Sequence, residues 1–315
     1  MFLKLYSKLE NELDAKRSKI ERFASSAPKR YKVYTIPKRT SGRRLIAHPS
    51  KELKIIQRAL VKLLQNELKV HKASYAYRKG KSIKDNALIH SKRKFLLKLD
   101  FNDFFNSITP ELFLNEIKNN SVVLSPAEQN LLVNLLFWNK TKTFDGQLVL
   151  SVGAPSSPLI SNFVMLRFDD LVYKHAKKSS IRYTRYADDL TFSTNTKNVL
   201  FEIPSFIKKT LYDIYSHRIT INDSKTIFSS KAHNRHVTGV TITNESKLSI
   251  GRERKRLISV MIHKHTLHQL NESDFNYLHG LLSFAFHIEP EFISRLYKKY
   301  GEDLITNIMK GKNNE

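Results

Sequence analysis

The sequence predicts an α+β protein, and three observations carry that expectation. An apolar strand, Phe95-Leu-Leu-Lys-Leu-Asp100, is followed by a helix-opening Ser156-Ser-Pro158 and then by a strand-turn-strand pattern over residues 182 to 194. A second strand-turn-strand pattern lies near the start, and the residues beyond about 250 read as helix alone.

Taken in order, residues 2 to 24 space Leu5, Leu9, Leu13, Ile20 and Phe23 along one helical face that ends near Ser25-Ser-Ala-Pro28. Arg30-Tyr-Lys-Val-Tyr-Thr-Ile-Pro37 and Arg43-Arg-Leu-Ile-Ala-His-Pro49 read as paired strands, with Lys38 and Arg39 at the tip of a Gly42-containing turn. A helix over 51 to 70 presents Leu53, Ile56, Leu60 and Leu64. The strand from Phe95 delivers Asp100 at its end. Ser157 is the expected cap, with Pro158 in the first helical position, of a helix running to about Lys177. Helical stretches at 257 to 270 and 275 to 300 follow a basic segment with Lys247, Arg252, Arg254, Lys255 and Arg256, and residues 310 to 315 look disordered.

Composition narrows the partners. The chain has 315 residues, 54 Lys+Arg against 29 Asp+Glu, and a net charge of +25, which points to a polyanion. The excess is uneven: the net is +20 over residues 1 to 99, +1 over 100 to 230 and +4 over 231 to 315. A merely solubilising charge would not be placed so. Without cysteine there is no disulfide, thiol nucleophile or Cys-ligated zinc. Charged residues break every apolar run at the start, and no run approaches a membrane span, so a cytoplasmic protein is expected.

The acids carry the chemistry. In Tyr183-Thr-Arg-Tyr-Ala-Asp-Asp-Leu-Thr-Phe-Ser193, strand formers flank Asp188 and Asp189, so two like charges sit in one tight turn. An Asp-Asp dipeptide in a turn is by itself an ordinary solvated turn. With Asp100 delivered by another strand end, three carboxylates could instead hold a pair of Mg²⁺ ions, which favour oxygen ligands. Two such ions about 4 Å apart promote in-line phosphoryl displacement, the chemistry of polymerases.

Tyr186-Ala-Asp-Asp189, Leu99-Asp-Phe-Asn-Asp-Phe-Phe105 and Gly153-Ala-Pro-Ser-Ser-Pro158 with Asn162 resemble, in order and spacing, the palm motifs of reverse transcriptases. The resemblance covers roughly residues 30 to 250. Asn86-Ala-Leu-Ile-His90 and Val237-Thr-Gly239 resemble two strings of the bacterial retron members of that family.

The resemblance implies a right-hand polymerase fold. Its parts would be an N-terminal helix and fingers over 1–95, a palm of antiparallel sheet backed by helices over 96–245 with a fingers insertion at about 111–150, and a small helical thumb over 246–315. It makes Asp100, Asp188 and Asp189 the ligands of two Mg²⁺ ions. Phe105 becomes a steric gate against a ribonucleotide 2′-hydroxyl, although its ring could simply pack the palm. Arg43 or Arg44 would grip the triphosphate, which of the two being open. Lys225 would protonate the leaving pyrophosphate, unless it is a plain surface lysine. Tyr186 and Ala187 would line the primer end. Asn86, His90, Val237, Thr238, Gly239, Arg252 and Arg254 would recognise RNA, with a hydrogen-bonded structural pair as the alternative for Asn86 and His90. The chain departs from the family's common Leu-Pro-Gln-Gly: Leu150-Ser-Val-Gly153 lacks the amide, which leaves a backbone role for Gly153.

The function this implies is RNA-directed DNA synthesis from a cognate structured noncoding RNA, primed by an internal 2′-hydroxyl and giving branched RNA–DNA, within a system of defence against phage. Its partners would be that RNA, the DNA product, deoxynucleoside triphosphates and a neighbouring effector protein, with no membrane. Two alternatives stand beside it: a group II intron-like or other bacterial reverse transcriptase without branched priming, and an inactive RNA-binding palm. The chain ends about where a thumb would end, so removal of template RNA is expected to fall to another enzyme.

Overall fold

Residues 5–26 fold as two helices where the apolar spacing predicts one. The structure, a computed structural model, describes residues 4–37, 42–141, 143 and 145–311. In it α1 (Leu5–Leu13) stops at Asp14, which adopts a left-handed φ of 47°, and α2 (Arg17–Ser26) restarts with the Glu10 carboxylate accepting from the Arg17 amide at 2.8 Å. Aspartate tolerates that backbone better than most residues, so the break falls there.

The basic hairpin forms as expected, β1 (Tyr31–Pro37) pairing antiparallel with β2 (Arg43–Pro49) from Tyr31↔Pro49 to Pro37↔Arg43. Its expected tip, Lys38 and Arg39, lies outside the described residues, as do residues 312–315 at the end of the segment expected to be disordered. Ser50 caps α3 (Lys51–Leu64), whose predicted Leu53, Ile56, Leu60 and Leu64 are all buried. The helix ends six residues before the predicted limit.

Next come α4 (Ile83–Ser91), β3 (Phe95–Asp100), the short α5 (Phe104–Ser107), α6 (Pro110–Asn119), α7 (Pro126–Leu136) and the two-residue strands β4 (Trp138–Asn139) and β5 (Leu148–Val149). The helix predicted from Ser157 is again two, α8 (Ser157–Val164) and α9 (Leu166–Lys178), divided at Met165. The cap position is Ser156, whose side chain makes no capping bond, and Ser157 is already helical. The hairpin is β6 (Arg182–Tyr186) and β7 (Asp189–Thr194), followed by α10 (Ile203–Tyr215), β8 (Ile227–Ser230), β9 (Arg235–Val237), β10 (Val240–Ile242) and β11 (Leu248–Ser249). Four helices end the described residues: α11 (Arg252–Thr266), α12 (Glu272–Ile288), α13 (Pro290–Tyr300) and α14 (Glu302–Met309). The stretch predicted over 275 to 300 is thus divided at Glu289–Pro290, because proline disfavours helix in the residue before it.

The residues form two compact units, Met1–Lys79 with Lys98–Leu190 and Phe201–Thr226, and Gly80–Leu97 with Thr191–Leu200 and Ile227–Glu315. One sheet has the strand order β6-β7-β3-β8. The first unit is closed around buried aromatics such as Phe113, Phe137, Trp138 and Phe163. In the second, β9, β10 and β11 and the four C-terminal helices share one apolar core that includes Val237, Ile258, Leu278, Leu282 and Ile293. No helix among the described residues is long and apolar enough to cross a membrane.

Candidate active site

A two-residue turn brings the acids together. Val, Ile and aromatic-type strand formers cannot hold φ > 0 cheaply, yet Ala187 sits at φ 56° between β6 and β7, a small side chain where the hairpin demands a left-handed backbone. That turn sets Asp188 at its tip and Asp189 as the first residue of β7. The Phe101 amide donates to the Asp188 carbonyl at 3.1 Å, so the end of β3, with Asp100, lies alongside the turn. On the other flank of β3 the Asn222 amide donates to the Asp100 carbonyl at 2.7 Å and the Asn102 amide to the Thr220 carbonyl at 2.9 Å. This brings Lys225 in, and its Nζ donates to Asp100 Oδ1 at 2.7 Å.

The three acids feel one another. Burial, and then the charge of Asp100, raises the Asp188 carboxyl above its ordinary value. Burial, Asp188 and Asp100 push Asp189 up to about 7, against an opposing pull from Lys98. Among the described residues no three Asp, Glu, His or Cys side chains are gathered as a metal-binding cluster. The donor set nonetheless fits a hard divalent cation. It is carboxylate oxygen throughout, it sits on two strand ends tied backbone to backbone, and its mutual repulsion is what a bound cation would relieve.

Around these acids, Arg43 and Arg44 part company. Arg43 donates to the hydroxyl and carbonyl of Thr35 at 2.6 and 3.3 Å, within its own hairpin. Arg44 is exposed, and its charge is felt at both Asp188 and Tyr77. Half-buried Phe105 stands on α5 with its ring centroid 5.4 Å from that of Phe104 and 6.5 Å from that of Tyr77. Phe105, Tyr77, Val152 and Gly153 line a cavity of about 340 Å³, whose remaining wall carries His48, Lys54 and Arg58. Lys54 bonds His48 Nε2 there. Gly153 has φ 125°, and a Cβ on it would stand 3.2 Å from the Ala47 carbonyl and 3.3 Å from Ile46 Cγ2, so the close approach of this turn to β2 requires glycine. The Ala47 amide donates to the Val152 carbonyl at 3.1 Å; Val152 therefore contributes backbone where its side chain has no amide to offer. Tyr186 ends β6, half-buried.

Beneath the turn lies a network that sequence reasoning missed. Arg185 is fully buried, pairs with Asp169 through Nε at 2.9 Å and Nη2 at 2.6 Å, and reaches Asn162 Oδ1 at 3.1 Å and the Ala187 carbonyl at 3.0 Å. Tyr183 donates to the same Asp169 at 2.7 Å. The signal was available: in a strand, residues two apart share a face, so Arg185 points inward with Tyr183.

The remaining predicted residues belong to the second unit. Asn86 and His90 share a face of α4, and both are fully buried. Asn86 Nδ2 donates to the Thr238 hydroxyl at 3.4 Å, and His90 Nδ1 lies 2.7 Å from the Ser193 hydroxyl. Thr238 and Gly239 form the tight turn between β9 and β10, with φ 47° and 79°, flanked by the Val237↔Val240 pair. Arg254 Nη1 donates to the Gly239 carbonyl at 2.8 Å while its guanidinium lies over the Phe284 ring. Arg252 is exposed.

Residues 36–242 match the family model described as reverse transcriptase (RNA-dependent DNA polymerase). The Retron Ec83 reverse transcriptase of Escherichia coli is 52% identical over 280 residues, covering 89% of this chain and 90% of that protein. The Retron Ec73 reverse transcriptase of the same species is 32% identical over 303 residues, covering 93% and 95%. Among solved structures, telomerase from Candida albicans in complex with a fragment of telomeric RNA superposes with a TM-score of 0.50 at 13% identity, covering 89% of this chain. The chain spans 56% of that telomerase, and the likeness is one of fold.

Proposed function

Because this chain belongs to the reverse transcriptases, the RNA-dependent DNA polymerases, and among them to those of bacterial retrons, we propose that it copies a cognate structured noncoding RNA into DNA from an internal 2′-hydroxyl, as a cytoplasmic enzyme of an anti-phage system. It has the right-hand polymerase fold of that family and acts with an RNA template and nucleotide substrates. The family's chemistry depends on a divalent metal.

The observation that carries the proposal is the meeting of Asp100 with Asp188 and Asp189 through the Phe101–Asp188 backbone bond. These three would hold two Mg²⁺ ions. When bound, Mg²⁺ supplies charge stabilisation to the attacking and leaving oxygens of an in-line displacement. The chain's own residues do the rest. Exposed Arg44, with no side-chain hydrogen bond or ion pair among the described residues, would take the triphosphate, since Arg43 is engaged by Thr35. Lys225 keeps an ammonium beside Asp100, from which it can deliver a proton to departing pyrophosphate. The Phe105 ring closes the pocket below the sugar and excludes a 2′-hydroxyl. Gly153 keeps the facing turn close to β2, and Tyr186 and Ala187 line the primer end.

We assign 1–95 to an N-terminal helix and fingers, 96–245 to the palm with its fingers insertion, and 246–315 to the thumb. The turn Val237–Gly239 and the exposed Arg252 are the proposed RNA-facing elements. Buried Asn86 and His90, and Arg254 on the turn's carbonyl, support that face from within. A neighbouring effector protein completes the proposed system.

The test is a comparison of wild type with Asp188→Asn and Asp100→Asn, which remove a charge but keep the shape. DNA synthesis should fall by several orders of magnitude while RNA binding persists. Ribonuclease followed by a debranching enzyme should shift the natural product on a gel. Near wild-type extension by either variant rejects the active site, and a product indifferent to debranching rejects the retron-type priming alone.

A further inference from the structure

Tyr77 is an aromatic residue in a backbone conformation that aromatics avoid. Its φ is 60°, in the left-handed region, where a Cβ crowds the following carbonyl. Such residues persist where their surroundings over-determine them, and here they do. On the N-terminal side, the Tyr75 amide donates to the Arg185 carbonyl at 2.8 Å and the Arg185 amide to the Ala73 carbonyl at 2.8 Å, binding the segment to β6. Asn162 Nδ2 holds the Ala76 carbonyl at 3.0 Å, and Asn162 Oδ1 takes the Ser74 hydroxyl at 2.8 Å. On the C-terminal side, Arg78 folds back onto the carbonyls of Ser74 and His71 at 3.1 and 3.2 Å.

What this fixed backbone presents is a ring. Tyr77 is 55% exposed, so the ring is not held there to fill a core. It faces the cavity beside Val152 and Gly153, and its nearest aromatic partner is Phe105, at 6.5 Å and 58° between planes. Phe105 needs such support. It stands on a helix of four residues, and its inner neighbour Phe104 is already stacked on Phe101 at 5.2 Å. Remove Tyr77 and the Phe105 ring loses its aromatic partner in the lining of that cavity. A gate that works by exclusion depends on its ring being unable to turn aside.

We propose that Tyr77 is a positioning residue for nucleotide selection, the second wall of the sugar pocket, whose ring holds Phe105 in the orientation that excludes a 2′-hydroxyl. This rests on the reading of Phe105 as the gate. The experiment measures kcat/KM for a ribonucleotide and for the matching deoxynucleotide on an annealed primer-template with Mg²⁺, in wild type, Tyr77→Asn, Tyr77→Phe and Phe105→Val. Asparagine removes the ring yet accepts the left-handed backbone, so the fold is not asked to bear new strain. Circular dichroism and the melting midpoint of each variant check this.

Tyr77→Asn should raise the ribo-to-deoxy ratio by up to about tenfold, the size of one aromatic pair interaction. Tyr77→Phe, which keeps the ring, should hold the wild-type ratio. Adding Tyr77→Asn to Phe105→Val should change the ratio less than it does alone, since the two act through one ring. A wild-type ratio in Tyr77→Asn alongside a raised ratio in Phe105→Val overturns the inference and leaves the gate standing. An unchanged ratio in both removes the gate and the inference with it. A shift in Tyr77→Phe as large as in Tyr77→Asn assigns the effect to the hydroxyl and also overturns it.

Discussion

Arg185 Nη1 donates a 3.0 Å hydrogen bond to the Ala187 carbonyl, so a fully buried guanidinium stands directly beneath the turn that carries Asp188. Its charge is balanced by Asp169, itself fully buried. Breaking such a pair from one side leaves an uncompensated charge in the interior, a loss of about 3–5 kcal/mol. Asp169→Asn should therefore lower stability by that amount in urea unfolding, and the surviving enzyme should bind metal less well because the turn above it loosens. A loss below about 1 kcal/mol would mean that water reaches Arg185.

Glu289 ties the second unit together. Its carboxylate accepts from Lys255 at 2.6 Å, Arg295 at 2.9 Å and the Ser249 hydroxyl at 2.8 Å. Burial acts to raise its pKa, yet these bonds and the Ile250 amide outweigh burial and hold it below the ordinary value. A depressed carboxyl stabilises the fold above its unfolded pKa of about 4.3 and loses that contribution as pH falls through its folded value. Glu289→Gln should thus be less stable than wild type at pH 7, and the gap should close on acidification below pH ~4. A gap independent of pH would show that packing, not charge, is at stake.

The net +20 over the first 99 residues predicts a steep salt dependence of RNA binding. Lys92 and Lys94 are exposed, whereas Arg93 is half-buried and its carbonyl accepts from Arg235. Replacing Lys92 and Lys94 with Gln should flatten the log-log salt slope by about 0.7–0.9 for each phosphate no longer neutralised. An unchanged slope would return both lysines to the solvated surface.

Asn86 and Thr238 make a fourth prediction. Thr238→Val removes the hydroxyl that Asn86 holds while keeping the shape of the turn's side chain. DNA made from the cognate RNA should fall several-fold more than extension of an annealed primer, since selecting one internal hydroxyl requires recognition of RNA shape. His90→Ala should instead cost stability, about 2 kcal/mol or more, because His90 is fully buried and bonded to Ser193. Equal loss of both activities in Thr238→Val would detach the turn from RNA selection.

Much was legible in the sequence because it is written within a few residues. The period of Leu53, Ile56, Leu60 and Leu64 buries one face of α3 whatever surrounds it, and the strand formers around Ala187 leave Asp188 in the turn and Asp189 where the next strand begins. The uneven charge is likewise a property of the chain alone. Helix ends were read less well, since the breaks at Asp14 and Met165 lie inside continuous apolar patterns, where one residue's backbone decides. Other features belong to the tertiary structure. Asn86 and Thr238 are 152 positions apart, and Lys225 and Asp100 are 125 apart. Which of Arg43 and Arg44 Thr35 engages depends on which side of the hairpin Thr35 occupies, and Tyr77 meets Phe105 only because β6 and Asn162 pin the segment before it. Periodicity assigns a residue to a face. Only the packing of faces, set by burial and hydrogen-bond satisfaction over the whole chain, decides what that face meets.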